Sequence, residues 1–349
     1  MQIFVYEYTC AAASEGTMAP SLHREGAAML AALLDDFAAL PEARVVTIVG
    51  EGRQLPLIRR AQKLGYRFQC LPVRQESERS VFCSLSAVSD WSIVVAPETD
   101  NLLETRMQWV QSVGGRALGC NLSAIQLAAD KLTCATYLRH RSVSTPHCVA
   151  VGADQRHPSL DFPFVWKPRF GAGSQATFLI RRQEDWPAAR EAIEQGGGGG
   201  GTIAQPFIDG QAVSVSFLVS ERWMIPLIAG EQLLSNDGRF RYLGGRLPLS
   251  PSGSSRAVAL AGRAIGAIPG LLGYVGVDLV LAENDEDQVI DINPRITTSY
   301  IGLRMLSRTN LAEGMLAAAN KSRDPPLLSW QSATVTFQAD GRVFREDAH

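Results

Sequence analysis

Long apolar runs are missing from this chain. None of its 349 residues lies in an uninterrupted apolar stretch long enough to cross a bilayer, so no membrane helix is expected. The opening Met1-Gln-Ile-Phe-Val-Tyr-Glu lacks the basic flank and apolar centre of a secretory signal and reads as a strand, which points to the cytoplasm. Charge of one sign is scarce too. Lys and Arg number 33 against 35 Asp and Glu, without a basic block or aromatic-basic interleaving, so neither nucleic acid nor a membrane surface is an expected partner. The six cysteines form no CxxC pair and read as reduced, mostly buried thiols; the five histidines show no metal-ligand spacing. No Ser-His-Asp or Cys-His arrangement offers a nucleophile, and no GxGxxG follows the first strand, which disfavours a dinucleotide site.

What is present is a chain long enough for two or three closely packed subdomains. Its first part alternates: strands at Ile3 to Tyr6, Val45 to Val49 and Trp91 to Val95, with helices from Leu22 to Leu40 and from about Leu102 to Val113. Such alternation implies a parallel sheet with helices on both faces and ligands at the C-terminal strand ends, where the loop from Glu7 to Pro20 begins.

The most informative stretch is a hairpin, Gly273-Tyr-Val-Gly-Val-Asp278-Leu-Val-Leu, an acidic turn at Asn284 to Asp287, then Val289-Ile-Asp291-Ile-Asn293-Pro294-Arg295. Period-two alternation sends Val277, Leu279 and Leu281 to one face and Asp278 and Val280 to the other. On the second strand it sends Ile290 and Ile292 to the core and Asp291 and Asn293 outward, with Asp278 opposite Asn293 and beside Asp291. Two carboxylates and an amide on one patch suit a hard cation such as Mg2+, which leaves its other positions to water and phosphate. The bland alternative is a solvated sheet face. Arg295, placed after a strand-stopping proline, favours the site, since a permanent cation there suits a phosphate or a substrate carboxylate.

Upstream, one helix is expected from Ala124 through Asp130-Lys131 to about Arg139, capped by Asn121 or Ser123. Phe164-Val-Trp-Lys167-Pro-Arg-Phe-Gly171-Ala172-Gly173-Ser174 is a strand running into a glycine loop, followed by a strand from Thr177 to Ile180. Backbone amides of such a loop approach phosphate closely, and Lys167 supplies a point charge; a tight hairpin turn is the ordinary reading of the glycines alone. A helix from Gln183 to Gln195 ends in six glycines, a low-complexity run without assigned chemistry. Gln205-Pro-Phe207-Ile208-Asp209-Gly210 reads as an interdomain strand and turn, Val213 to Val219 as a strand, and the polar, glycine-rich Ser235 to Pro248 as an active-site loop. A helix from about Ser255 to Ile268 precedes the hairpin.

In this order, Asp130-Lys131, Lys167 to Ser174, Gln205 to Gly210, Gly276-Val-Asp278 and Asp291 to Arg295 resemble the ATP-grasp superfamily over residues 118 to 310. More narrowly, Val5-Tyr-Glu-Tyr8, Ser21-Leu-His-Arg-Glu25-Gly26, Tyr242-Leu-Gly-Gly and Asn293 to Gly302 resemble the tyramine-glutamate ligases of methanofuran biosynthesis and their bacterial relatives. The resemblance implies an α/β protein: two α+β subdomains gripping ATP, preceded by an alternating α/β domain. The divisions it suggests are an N-terminal domain at 1–117, a lid at 118–204, a metal-bearing subdomain at 205–325 and a C-terminal segment at 326–349.

It also implies roles. Lys131 and Lys167 would contact the ATP phosphates, Gly171, Ala172, Gly173 and Ser174 would close over them, and Gln205, Phe207, Ile208 and Asp209 would form the adenine and ribose hinge. Asp278, Asp291 and Asn293 would hold one or two Mg2+, with Mn2+ as a substitute, and Arg295 with Lys167 would stabilise the transferred phosphoryl group. Glu7, Tyr8, Glu25, Tyr242, Arg246 and Tyr300 would line the pocket for a small carboxylate and a small amine. The chain departs from the superfamily at Gln205 and Ala212, where relatives carry glutamates, and at Cys10-Ala-Ala-Ala13, where the ligases have a glycine-rich turn. A D-alanine-type or other dipeptide ligase, and an ATP-binding regulator without turnover, are the competing readings.

Overall fold

A computed structural model describes residues 1–11, 20–53, 68–152, 158–171, 174, 176–195, 201–284 and 286–347. Three sheets organise them. Strands β1 (Gln2–Glu7), β2 (Arg44–Gly50), β3 (Phe68–Val73) and β4 (Trp91–Val95) form a parallel sheet in the order β3-β2-β1-β4. The expected alternation is present, with α1 (Tyr8–Ala11), α2 (Pro20–Ala38), α3 (Glu78–Val88) and α4 (Leu102–Ser112) connecting it. Helix α2 turns Leu30, Leu33, Leu34 and Phe37 into the core at helical spacing.

The expected continuous helix is two helices, α5 (Leu122–Ala129) and α6 (Lys131–Arg139). Asp130 leaves helical geometry between them: its carboxylate caps α6 through Thr133 N at 3.2 Å and accepts Arg169 Nε at 2.7 Å. The break places Lys131 at the first position of α6. Both helices pack in the core shared with β13 and β14 rather than in the lid, so the 118–204 division does not follow the packing.

The lid is a four-stranded antiparallel sheet, β5 (Val149–Val151), β6 (Phe164–Pro168), β7 (Phe178–Ile180) and β8 (Thr202–Pro206), ordered β5-β8-β6-β7, with α7 (Trp186–Gln195) against it. Its strand β8 carries Gln205 across the expected 204/205 boundary.

The large antiparallel sheet runs β14-β13-β9-β11-β12-β15-β16 and is built from β9 (Gly210–Val219), β11 (Gly230–Leu234), β12 (Tyr242–Leu247), β13 (Gly273–Ala282), β14 (Gln288–Asn293), β15 (Ala333–Gln338) and β16 (Val343–Asp347). Strand β10 (Met224–Pro226) pairs on β9, and helices α8 (Pro251–Ala267), α9 (Ser299–Leu306) and α10 (Leu311–Ala319) pack on this body. The 326–349 segment is no separate unit, because β15 joins β12 edge to edge. Two hydrophobic cores each combine residues of the parallel sheet with residues of the large sheet, whereas the lid has its own.

Candidate active site

The lid and the large sheet face each other across a cleft of about 560 Å³, closed at one end by the parallel sheet through Glu7, Val95 and Pro97. The register of the hairpin sets its floor. Val277, Leu279 and Leu281 are buried and Asp278 turns to the cleft, as alternation requires. The second strand departs from expectation: Asp278 pairs with Asp291, Gly276 with Asn293, and Leu279 with Val289, so Ile290 is an extra residue. This bulge leaves Val289 and Ile292 in the core and turns both Ile290 and Asp291 to the cleft. The two aspartates are thus directly cross-strand on one face, an arrangement that repulsion opposes unless something relieves it.

Three groups relieve it. Lys131 Nζ makes an ion pair with Asp291 Oδ2. Gln232 Nε2 donates to Asp278 Oδ1 at 2.9 Å, and Asn293 Nδ2 donates to Asp278 Oδ2 at 3.0 Å. Even so, burial and then the Asp291 charge push the Asp278 pKa up to about 6. Burial works against the Lys131 charge, but Asp291, Glu98 and Asp278 together hold its pKa above the usual lysine value.

Lys167 differs. It is 7% exposed on β6, no hydrogen bond or ion pair holds its ammonium among the described residues, and burial followed by Lys131 lowers its pKa. Arg295, expected beside the carboxylates, lines the cleft but is already engaged: Nε and Nη2 reach the two oxygens of Glu98 at 2.9 and 3.0 Å. Glu98 lies just past β4, at the C-terminal end of a parallel strand, the place where ligand-facing groups collect. That rule was the signal for it. Gln232 carried none.

Gly171, Ser174, Gln205, Phe207 and Ile208 line the cleft, and Gln205 Oε1 accepts a long contact from Cys148 Sγ at 3.7 Å. Ala172 and Gly173 lie outside the described residues, as do Ala12 and Ala13 and the six-glycine run apart from Gly201. Phe207 and Phe240 approach with ring centroids 6.2 Å apart and, with Leu234 and Ile290, make an apolar wall. Asp209 is exposed in the turn after β8 and does not reach the cleft.

Of the expected pocket residues, Glu7, Glu25 and Tyr242 line the cleft. Glu7 accepts from Thr9 Oγ1 and Cys10 N, both at 2.8 Å, and burial raises its pKa. Gly26 allows this, since a Cβ there would meet the Glu7 carboxyl carbon at 2.5 Å. Glu25 accepts from Thr298 Oγ1 at 3.3 Å, and burial pushes its pKa to about 6.

Tyr8, Arg246 and Tyr300 are placed elsewhere. Tyr8 packs in the N-terminal domain under the Arg106 guanidinium, 4.6 Å from the ring centroid. Tyr300 is fully buried in the first turn of α9, edge-on to Tyr274, and donates to Asp36 Oδ2 at 2.6 Å. Arg246 pairs in register with Glu231, the neighbour of Gln232, so it points to the face opposite Gln232. A register shift then skips Leu243 and returns Tyr242 to the cleft face.

The donor set suits a divalent cation. Asp278, Asp291 and Asn293 offer hard oxygens on one face, and burial with the neighbouring Asp291 charge raises the Asp278 pKa, a cost that a bound cation would offset. Among the described residues no group of three or more His, Cys, Asp or Glu could hold a metal alone.

Comparison with known proteins agrees with this architecture. The ATP-grasp domain family matches residues 128–299, and the pre ATP-grasp 3 domain matches residues 58–125. The chain belongs to the ATP-grasp superfamily, and it carries the pre-ATP-grasp domain ahead of the grasp. Within that superfamily it is similar to the tyramine–L-glutamate ligase of Methanocaldococcus fervens, 27% identical over 256 residues that span 73% of this chain and 71% of that protein. The same enzyme of Methanocaldococcus jannaschii is 29% identical over 231 residues, 66% of this chain and 63% of the relative. A crystal structure of an ATP-grasp superfamily protein from Archaeoglobus fulgidus superposes with a TM-score of 0.71 at 23% identity, covering 100% of both chains. No helix among the described residues is long and apolar enough to cross a membrane.

Proposed function

We propose that this chain is a cytoplasmic, ATP- and Mg2+-dependent carboxylate-amine ligase that joins the γ-carboxylate of glutamate to tyramine or a close amine such as tyrosine, on a furan-type cofactor pathway. The observation that carries this reading is the convergence of Lys131, Lys167, Asp278 and Asp291 in one cleft between two antiparallel sheets. The names of the two curated relatives supply the substrates.

In this reading Lys167 and Lys131 bind the triphosphate, and Ile290, Leu234, Phe207 and Phe240 enclose the base. Asp278, Asp291 and Asn293 would hold Mg2+, one ion or two, which when bound neutralises phosphate charge. A substrate carboxylate oxygen attacks the γ-phosphorus; the bond to the β,γ-bridging oxygen breaks, leaving ADP and an acyl phosphate. The amine nitrogen then attacks the acyl carbon, inorganic phosphate leaves, and the nitrogen loses its proton. Positioning and charge neutralisation supply the catalysis. Arg295, which lines the same cleft and is held by Glu98, would stabilise the transferring group.

Incubation with ATP, Mg2+, glutamate and tyramine should release ADP and a γ-glutamyl amide detectable by mass spectrometry. ADP release with a different acid only, or without amide, rejects the substrate assignment. Tight ATP binding without ADP from any pair of substrates favours a regulator.

A further inference from the structure

A second chamber, about 600 Å³, opens off the cleft. The two share Leu22, Glu25, Ser174, Thr177 and Tyr242, so they communicate past the Glu25 carboxylate and the Tyr242 ring. Four arginines from three separate segments converge on it: Arg24 from α2, Arg239 and Arg241 from the loop before β12, and Arg342 from the turn between β15 and β16.

Their charges are not equally spent. Arg241 pairs with Asp237 at 2.6 Å and Arg342 with Asp340 at 2.9 Å. No ion pair holds Arg24 or Arg239 among the described residues. The Arg239 guanidinium lies over the Phe178 ring of the lid at 4.0 Å, which leaves its N–H edges available in a set plane. The same loop is tied to the lid by Leu179 N donating to Gly238 O at 2.8 Å, so Arg239 keeps its station relative to β7.

Arg24 and Arg239 are exposed, so water can solvate them, but the chamber's charge favours an anionic occupant. ATP phosphates already have Lys131 and Lys167 on the far side of the cleft, and a cationic amine would be repelled. The remaining reactant is the acid.

We propose that the chamber is an anion subsite in which Arg24 and Arg239 hold the carboxylate of the acid substrate that is not activated, while Glu25 at the junction receives its ammonium group. The inference rests on the ligase reading and deepens it by assigning the residues that anchor the acid: one carboxylate is held in the chamber while the other reaches the phosphoryl group.

The test is calorimetric titration of the full chain, without turnover, using glutamate and 4-aminobutyrate, which lacks the α-carboxylate. The proteins are the natural chain, Arg24→Ala, Arg239→Ala and the double variant. Loss of a charged hydrogen bond should weaken glutamate binding about tenfold to a hundredfold in the double variant, with ATP affinity and melting temperature unchanged. Arg24→Lys should retain part of the affinity, and 4-aminobutyrate should bind weakly and equally to all four proteins. Equal glutamate affinity in the natural chain and the double variant overturns the subsite, as does an equal loss for 4-aminobutyrate or no glutamate binding at all. The ligase reading is scored separately. Arginine-dependent glutamate binding without amide formation keeps the subsite and rejects the ligase; amide formation with an unchanged glutamate KM in the double variant does the reverse.

Discussion

The lid sheet has four strands of three to five residues over a small core of its own, whereas the large sheet is fused to the N-terminal domain through two shared cores. The same contrast appears in their charges. On the body, Lys131 pairs with Asp291, Arg295 pairs with Glu98, and Asp278 accepts from Gln232; on the lid, Lys167 has no partner among the described residues. A rigid half with its charges compensated and a light half with its charge unspent is what a grasping site requires. The body keeps the acidic patch in register, and the lid gains a counter-ion only when it closes on an anion.

The sharpest way to break this comparison is to remove the body's own charge. Asp291→Ala should lower kcat by about 10²- to 10³-fold, the range for deleting one group that stabilises transition-state charge. Far-UV circular dichroism should be unchanged, because Asp291 projects into the cleft while Val289 and Ile292 carry the packing of β14. Unchanged turnover would remove Asp291 from the metal set.

Next in size is the lid's own stability. Trp186 stacks on Trp166 at 4.0 Å, with an interplanar angle of 17°, and also contacts Phe164. Trp186→Ala should cost about 3–5 kcal/mol, the usual loss for truncating a large buried aromatic. The loss should be local: hydrogen exchange should accelerate in β6, β7 and β8 while β9 and β13 keep their protection. Equal acceleration in both sheets would show that lid and body unfold as one, against the comparison.

The two lysines should then part company. Lys131→Met leaves Asp278 and Asp291 facing each other without the ammonium between them. The expected loss is about 2–3 kcal/mol, less than for a fully buried pair because the Asp291 side chain keeps 20% exposure. Lys167→Met removes a buried charge without a partner, so stability should hold or rise. Both variants should bind ATP weakly. Denaturant unfolding separates them, and equal losses of stability would overturn the distinction drawn between the two sites.

The sequence carried the faces but not the registers. Alternation in β13 is local and placed Asp278 opposite the buried Val277 and Leu279, and the strand before Lys167 was equally plain. The bulge at Ile290 was hidden because it exists only relative to β13; counted alone, β14 alternates as well as any strand. The break at Asp130 was hidden for a related reason. Apolar spacing runs on through Leu138, and the competing partner, Arg169, lies 39 residues away. Glu98 and Arg295 are 197 residues apart, and nothing in either segment names the other. Arg246 and Tyr300 show the cost of taking a motif without its register, since one residue skipped at Leu243 separates Tyr242 from Arg246.

The smallest effect, and the finest test of the comparison, is in pH. Asp278 on the body is protonated below about 6, because burial and Asp291 raise its pKa, so affinity for MgATP should grow as pH rises through that value. Lys167 on the lid has a lowered pKa, first through burial and then through Lys131, so affinity should fall on the alkaline side before the ordinary lysine value of about 10.4 is reached. Each limb should change affinity by roughly tenfold per pH unit at most, since one proton is involved in each. The limbs belong to different halves of the molecule but are coupled, because the Asp291 and Asp278 charges both support the Lys167 ammonium. Raising Mg2+ competes with the proton on Asp278 and should shift the acid limb downward; by neutralising those carboxylates it should also bring the alkaline limb to lower pH. Lys167→Arg replaces the ammonium with a guanidinium that does not titrate in this range, so it should abolish the alkaline limb and leave the acid limb where it was. Titration calorimetry of ATP binding across pH reads both. If the arginine variant kept the alkaline limb, the titrating cation would not be Lys167, and the lid would not hold the unspent charge.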